Sequence, residues 1–71
     1  MKISYERKNL HSCVALYSNE RDAWATVKTM LEDHRISKVQ VENDGQDVLF
    51  RYENGRVLQD NRPDYYFDVS L

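Results

Sequence analysis

The sequence predicts an α+β domain in which one amphipathic helix packs on a mostly antiparallel sheet, in the order ββαβββ followed by a terminal strand. Three observations predict this fold. Apolar and polar residues alternate at the start of the chain, and apolar residues with helical spacing follow. Two glycine-containing turns, Asp44-Gly45 and Asn54-Gly55, then divide the second half of the chain. The 71 residues are enough for one domain, 1–71, with a small core.

The N-terminal segment predicts two strands. Residues 2–7 place Ile3 and Tyr5 on one face and polar side chains on the other. Residues 8–9 are the expected turn, and residues 10–17 form the second strand. Both faces of this second strand carry apolar side chains, Val14 and Leu16 on one and Cys13, Ala15 and Tyr17 on the other. We therefore expect it to be central in the sheet or covered on both sides.

The middle of the chain predicts one helix of about 16 residues, or ~24 Å. Ser18 and Asn19 are candidate N-caps, and Glu20 follows them in the first turn. Arg35 and Lys38 follow the helix, where its dipole favours cations. Spacings of three and four residues define its apolar stripe, which comprises Ala23, Trp24, Val27, Met30, Leu31 and His34.

The two glycine turns predict a three-stranded meander. If each turn is a two-residue loop, Val41 lies opposite Val48, Val39 opposite Phe50 and Tyr52 opposite Val57. These six side chains then share one apolar face. The opposite face carries Lys38, Gln40, Glu42, Asp47, Leu49, Arg51, Glu53, Arg56 and Leu58.

A loop at residues 60–64 precedes the predicted terminal strand, residues 65–71. A strand period of two directs Tyr65, Phe67, Val69 and Leu71 toward one side, with Tyr65 and Phe67 expected in the core. Tyr66 then points to the other side. It either contacts a partner or covers the second face of the sheet.

Composition excludes several classes of function. Ten Lys and Arg against twelve Asp and Glu give a net charge of −2, which is unlike a strong non-specific nucleic-acid binder and too weak for a protein mimic of DNA. One cysteine permits no intrachain disulfide, and the alternating N-terminus is unlike a signal peptide. The longest apolar run is far shorter than a membrane span. We expect a cytoplasmic protein that does not enter a membrane.

Candidate chemistry is sparse. His11 and Cys13 share a strand face, and with His34 or Asp33 they would imitate a metal site or a nucleophile–base pair, but the ligand set is too small for a closed zinc site. A packed cysteine and surface histidines explain these residues better. The sequence therefore predicts no enzyme, no metal and no cofactor.

The face that includes Lys38 and Arg51 is the best candidate for binding. In the predicted register these two residues are cross-strand neighbours, and Leu49 and Leu58 join them in a mixed apolar and basic patch. Exposed leucine framed by arginine suits a protein interface or a dimer contact, although a solvated sheet face remains the alternative. Arg62 and Tyr66 are further candidate partner contacts, since arginine and tyrosine are favoured at interface hot spots.

These observations favour a non-enzymatic protein-binding module, an accessory regulator or inhibitor that occupies a protein surface. By size it is analogous to the small regulators and inhibitors that phages and mobile elements encode against host machinery such as a defence complex. The alternative is a nucleic-acid-associated regulator that uses Lys38, Arg51, Arg56 and Arg62. A homodimer is left open.

Overall fold

The computed structural model describes residues 1–8 and 11–69. Its strands are β1 (Lys2–Arg7), β2 (Ser12–Leu16), β3 (Ile36–Glu42), β4 (Val48–Glu53) and β5 (Arg56–Asp60), its α-helix is α1 (Glu20–Glu32), and a 3-10 helix spans Asp64–Asp68. The strands form one antiparallel sheet in the order β2-β1-β3-β4-β5, and α1 packs on one of its faces. The predicted α+β class and the order ββαβββ are confirmed.

The prediction that the second strand is central or covered on both sides is wrong. β2 is an edge strand that pairs only with β1 among the described elements. Cys13 and Ala15 lie opposite Tyr5 and Ile3, whereas Val14 and Leu16 point to the uncovered face of the sheet. Apolar residues on both faces of a strand indicate burial only when layers cover both faces, and no described element covers the face of Val14 and Leu16. The start of the predicted strand, at residue 10, lies outside the described residues.

The meander forms with one of its two predicted turns. Glu53 pairs with Arg56, so Asn54 and Gly55 form the predicted two-residue loop, and their φ angles of +49° and +85° fit a type I′ turn. The first turn is longer. The N–H of Asn43 donates to the carbonyl of Asp47 over 3.0 Å, so the chain reverses over three intervening residues.

The longer first turn shifts the pairing of β3 with β4. Val41 pairs with Phe50 and Val39 with Tyr52, so the predicted opposition of Val41 with Val48 and of Val39 with Phe50 is wrong. The displacement is two residues, and side chains alternate with a period of two. Phe50 and Tyr52 therefore keep the face that the sequence predicts, and the apolar surface survives the error in register.

The core lies between this surface and α1. Trp24, Val27, Ile3, Val39, Val41 and Phe50 are the largest fully buried side chains. The Trp24 ring meets the rings of Phe50 and Tyr66 edge to face, with centroids 6.3 and 5.9 Å apart. These aromatic contacts tie the helix to the sheet and to the C-terminal segment.

The prediction of a terminal strand is wrong for the described residues, because residues 64–68 form a 3-10 helix after Pro63. A period of three places Tyr66 and Val69 on the same side, and both are buried. Phe67, expected in the core, is 66% exposed, and Tyr65 is half-buried against the core. Lys28 fixes this segment to α1, since its ammonium donates to the carbonyls of Phe67 and Val69. The end of the predicted strand, residues 70–71, lies outside the described residues.

The helix begins as the sequence predicts and ends earlier. The side chain of Asn19 accepts hydrogen bonds from the N–H groups of Arg21 and Asp22, which confirms it as the N-cap. The helix has 13 residues and no basic residue in its last turn. Asp33 ends it, and the Asp33 carboxylate accepts two hydrogen bonds from the guanidinium of Arg35, each 3.0 Å long. Arg35 therefore stabilises the turn after the helix and does not interact with the C-terminal end of the helix dipole as predicted.

Because of its contact with Arg35, we expect the Asp33 carboxyl group to be unusually acidic. The side-chain hydrogen bonds from Arg35, and next the backbone N–H of Arg35, lower the pKa of Asp33 from 3.8 to about 2. Because the folded pKa lies below the unfolded pKa, the stabilisation is complete above about pH 4 and is lost as pH falls toward 2. Carbon-detected NMR titration should find the low value, and Arg35→Ala should raise it. An Asp33 pKa near 4 in the unsubstituted protein would contradict the contact.

A candidate interaction surface on the open sheet face

No described helix packs on the face of the sheet opposite α1. We call this surface the open face. Strand alternation and pairing place side chains from all five strands on it: Lys2, Ser4, Glu6, Ser12, Val14, Leu16, Lys38, Gln40, Glu42, Arg51, Glu53, Arg56 and Leu58. Among the described elements α1 covers only the other side of the sheet, so a partner can reach the open face.

Lys38, at the centre of the open face, is neutralised by its neighbours. Its Nζ lies 3.5 Å from a carboxylate oxygen of Glu6 and 3.8 Å from one of Glu53. The predicted opposition of Lys38 and Arg51 is wrong, because Lys38 pairs with Glu53 and Gln40 pairs with Arg51. Exposed pairs of this type contribute little stability, but they cancel the charge of Lys38 toward a ligand.

Arg51 is the basic side chain of the central open face that has no salt bridge among the described residues. It is exposed beside a shallow depression of about 240 Å³, which Ser4, Lys38, Gln40 and Leu58 help to line. Small-molecule sites occupy about 300–1,000 Å³. The depression is smaller than such a site and has room for one or two side chains of a partner.

Apolar side chains lie at both margins of the open face. Leu58 is 52% exposed where β5 is irregularly paired with β4. At the opposite margin Val14 is 59% and Leu16 78% exposed on β2. A charged centre with apolar margins differs from the compact apolar core and polar rim of many interfaces. It therefore offers two separate contact regions, one at each edge of the sheet.

Three residues predicted to contact a partner have internal roles. Leu49 is half-buried and packs against the core. Tyr66 is 4% exposed and contacts Trp24. The guanidinium of Arg62 lies 4.8 Å from the Tyr66 ring and donates to both carboxylate oxygens of Asp60. These contacts put Arg62 and Tyr66 with the core side of the sheet, away from Arg51.

The titration of these groups reflects the same packing. Burial raises the pKa of Tyr66 above its usual value, and the hydrogen bonds from Arg62 lower the pKa of Asp60. The sequence did not predict this arrangement, because residues 65–71 also fit the two-residue period of a strand. The three-residue spacing of Tyr66 and Val69 after Pro63 was the available signal.

The four residues of the nucleic-acid hypothesis do not form one basic patch. Lys38 is paired with two carboxylates and Arg62 with Asp60. Arg51 and Arg56 are both exposed and have no salt bridge among the described residues, so two of the four cations are uncompensated. A protein surface that binds along the phosphate backbone of a nucleic acid needs several uncompensated cations in a row. This arrangement gives the nucleic-acid hypothesis little geometric support.

The candidate metal and nucleophile residues are not brought together. Within residues 1–8 and 11–69, no three His, Cys, Asp or Glu side chains form a group that could hold a metal ion. Cys13 lies 3.6 Å from the carbonyl of His11, and Asp33 is engaged with Arg35. These residues therefore show no geometry from which a reaction can be derived.

No protein-family model matches the chain, and no curated protein or solved structure with which it was compared matches it significantly. No helix within the described part of the chain has the length and apolar character needed to cross a membrane. What the protein does is therefore inferred from its own residues.

Proposed function

We propose that the protein is a non-enzymatic binding module that occupies a surface of another protein with its open face. One observation carries the proposal: the uncovered five-stranded face presents the uncompensated Arg51 beside the exposed Leu58 and a depression of side-chain size. Arginine next to a leucine is suited to an interface, because the guanidinium bonds carboxylates while the apolar side chain is desolvated.

The geometry supports one kind of partner chemistry. A carboxylate on the partner would meet Arg51, and an adjacent apolar side chain would enter the depression beside Leu58. Lys38 contributes less, since Glu6 and Glu53 already compensate it. The partner surface is therefore acidic with an apolar neighbour, and it is broad enough to lie across several strands.

The biological role follows from such a contact. A small domain that covers part of a partner acts as an accessory regulator or inhibitor by excluding other ligands. Phages and mobile elements encode proteins of this type against host machinery such as defence complexes, and we extend the proposal to that role by analogy. The free thiol of Cys13 is compatible with the reducing cytoplasm, where we place the protein.

Reversing the charge of Arg51 is expected to reduce partner capture at least about tenfold, because a charge-assisted contact becomes a repulsion. Immobilised wild-type protein and Arg51→Glu would be compared in lysate of the source organism or its host, with and without nuclease treatment. Recovered polypeptides would be quantified by mass spectrometry.

Arg21→Glu is the matched control. Arg21 is exposed on the helix side, and its reversal changes the net charge by the same amount as Arg51→Glu. A polypeptide lost with Arg51→Glu and retained with Arg21→Glu supports the open face as the site. Equal retention by both variants would reject it. Recovery that disappears on nuclease treatment, with a steep dependence on salt, would favour the nucleic-acid alternative instead.

A further inference from the structure

The outer edge of β2 has a defined set of backbone groups that lack a strand partner among the described residues. The N–H of Tyr17 donates to the carbonyl of Met1 over 2.8 Å, so Tyr17 directs its backbone groups toward β1. Antiparallel pairs alternate between bonded and non-bonded along a ladder, and β1 pairs with β2 without a register shift. Ala15 and Cys13 therefore also bond toward β1. Ser12, Val14 and Leu16 direct their N–H and carbonyl groups away from the sheet.

This edge lacks the features that normally prevent pairing with another strand. Residues 9–19 contain no Asp, Glu, Lys or Arg and form the longest such stretch of a chain that is 31% charged. β2 has no proline and no bulge. The other edge, β5, carries Arg56 and Asp60 and is irregularly paired with β4. Of the two edge strands, β2 is therefore better suited than β5 to pair with a further strand.

We propose that β2 pairs antiparallel with β2 of a second copy of this chain, about a twofold axis at Val14. In this register Val14 lies opposite its own copy, and Ser12 lies opposite Leu16. All three residues direct their backbone groups outward, so each opposed pair can exchange both hydrogen bonds.

The side chains are self-complementary in the same register. Val14 and Leu16, each more than half exposed in the single chain, meet their counterparts on the open face. Opposed and diagonal side chains on neighbouring strands are within contact range. Because β2 carries no charged side chain, two copies pair without like-charge repulsion. For the same reason, β2 has no charge with which it could select the strand of a different protein.

The result is a continuous ten-stranded sheet with one open face from both copies. The pairing leaves Arg51 and Leu58 at the far side of each copy, so it does not depend on the proposed function. Loss of the dimer and loss of partner capture are therefore separate outcomes.

Sedimentation equilibrium across micromolar to millimolar concentrations tests the association. We expect the mass to rise from 8.5 kDa toward twice that value. Val14→Lys places two ammonium groups opposite each other at the axis and should weaken association at least about tenfold. Val57→Lys makes the same change at an exposed valine of the other edge strand and should leave association unchanged. A monomer at every concentration, or greater sensitivity to Val57→Lys, would overturn the proposal.

Cysteine cross-linking tests the register. In a Cys13→Ser background, Val14→Cys places the two Cα atoms about 5.5 Å apart, within the ~4.4–6.8 Å range of disulfides. Leu16→Cys is the control, because its two copies are offset by four residues, roughly 13 Å along the strands. Mild oxidation should cross-link Val14→Cys and not Leu16→Cys, although Leu16 is the more exposed. Equal cross-linking of both would overturn the register.

Discussion

Trp24→Ala is expected to lower the free energy of unfolding by about 3–5 kcal/mol, a large part of the roughly 5–15 kcal/mol that stabilises a typical domain. Trp24 is fully buried and contacts the sheet through Phe50 and the 3-10 helix through Tyr66. Its removal leaves a cavity where three elements meet. A domain of 71 residues has a thin core, so one such loss is a large share of its stability.

The comparison with Trp24→Phe makes this prediction quantitative. The indole N–H of Trp24 is buried without a hydrogen-bond partner in the described part of the chain. Phenylalanine retains much of the apolar contact and removes that unpaired donor, so we expect a smaller loss than for alanine. Urea unfolding followed by far-ultraviolet circular dichroism measures both variants. A loss below about 1 kcal/mol for Trp24→Ala would contradict the central position of this side chain.

Tyr66→Ala and Phe67→Ala are expected to differ strongly. Tyr66 is buried between Trp24 and Arg62, and its truncation should cost about 3 kcal/mol or more. Phe67 is exposed and touches Tyr66 edge to face, so its truncation should cost about 1 kcal/mol or less.

The same urea measurement distinguishes a 3-10 helix from a strand at the C-terminal segment. A strand with Phe67 inward and Tyr66 outward predicts the opposite order of the two losses. Equal losses would also contradict the packing described for Asp64–Asp68. Far-ultraviolet circular dichroism of the folded variants confirms that each retains the sheet before its stability is compared.

Sequence patterns predicted the elements well where one local rule decided the structure. The Asn19 cap, the Trp24 stripe and the Asn54-Gly55 turn each depend on a few neighbouring residues. The face of Phe50 was also predictable, because an error of two residues in register does not change the face. Local chemistry and alternation together therefore define most of the helix-covered half of the domain.

Tertiary context decided the features that the sequence did not predict. The Asn43 side chain accepts a hydrogen bond from the N–H of Asp47 and extends the turn beyond Asp44-Gly45. The position of β2 at an edge depends on strand order, which its own residues do not encode. Residues 64–68 form a 3-10 helix because this conformation buries Tyr66 against Trp24. Their sequence pattern alone also fits a strand.

The candidate site was predicted in part. Lys38, Arg51 and Leu58 do line one depression on the open face, as their shared strand face indicated. The sequence did not predict that Lys38 would be paired with Glu6, because that contact requires β3 to lie beside β1. Arg62 and Tyr66 were favoured as contacts for their chemistry, but the fold uses the same chemistry inside the domain.

The most direct test of the proposed function is to map where a captured partner lies. Amide NMR of the isotope-labelled protein, titrated with the polypeptide recovered by capture, reports this position for each residue. The open-face account predicts that the largest shifts occur at Arg51, Leu58 and Gln40, with α1 little affected. Shifts concentrated on α1 and the 3-10 helix, with Arg51 unchanged, would contradict it.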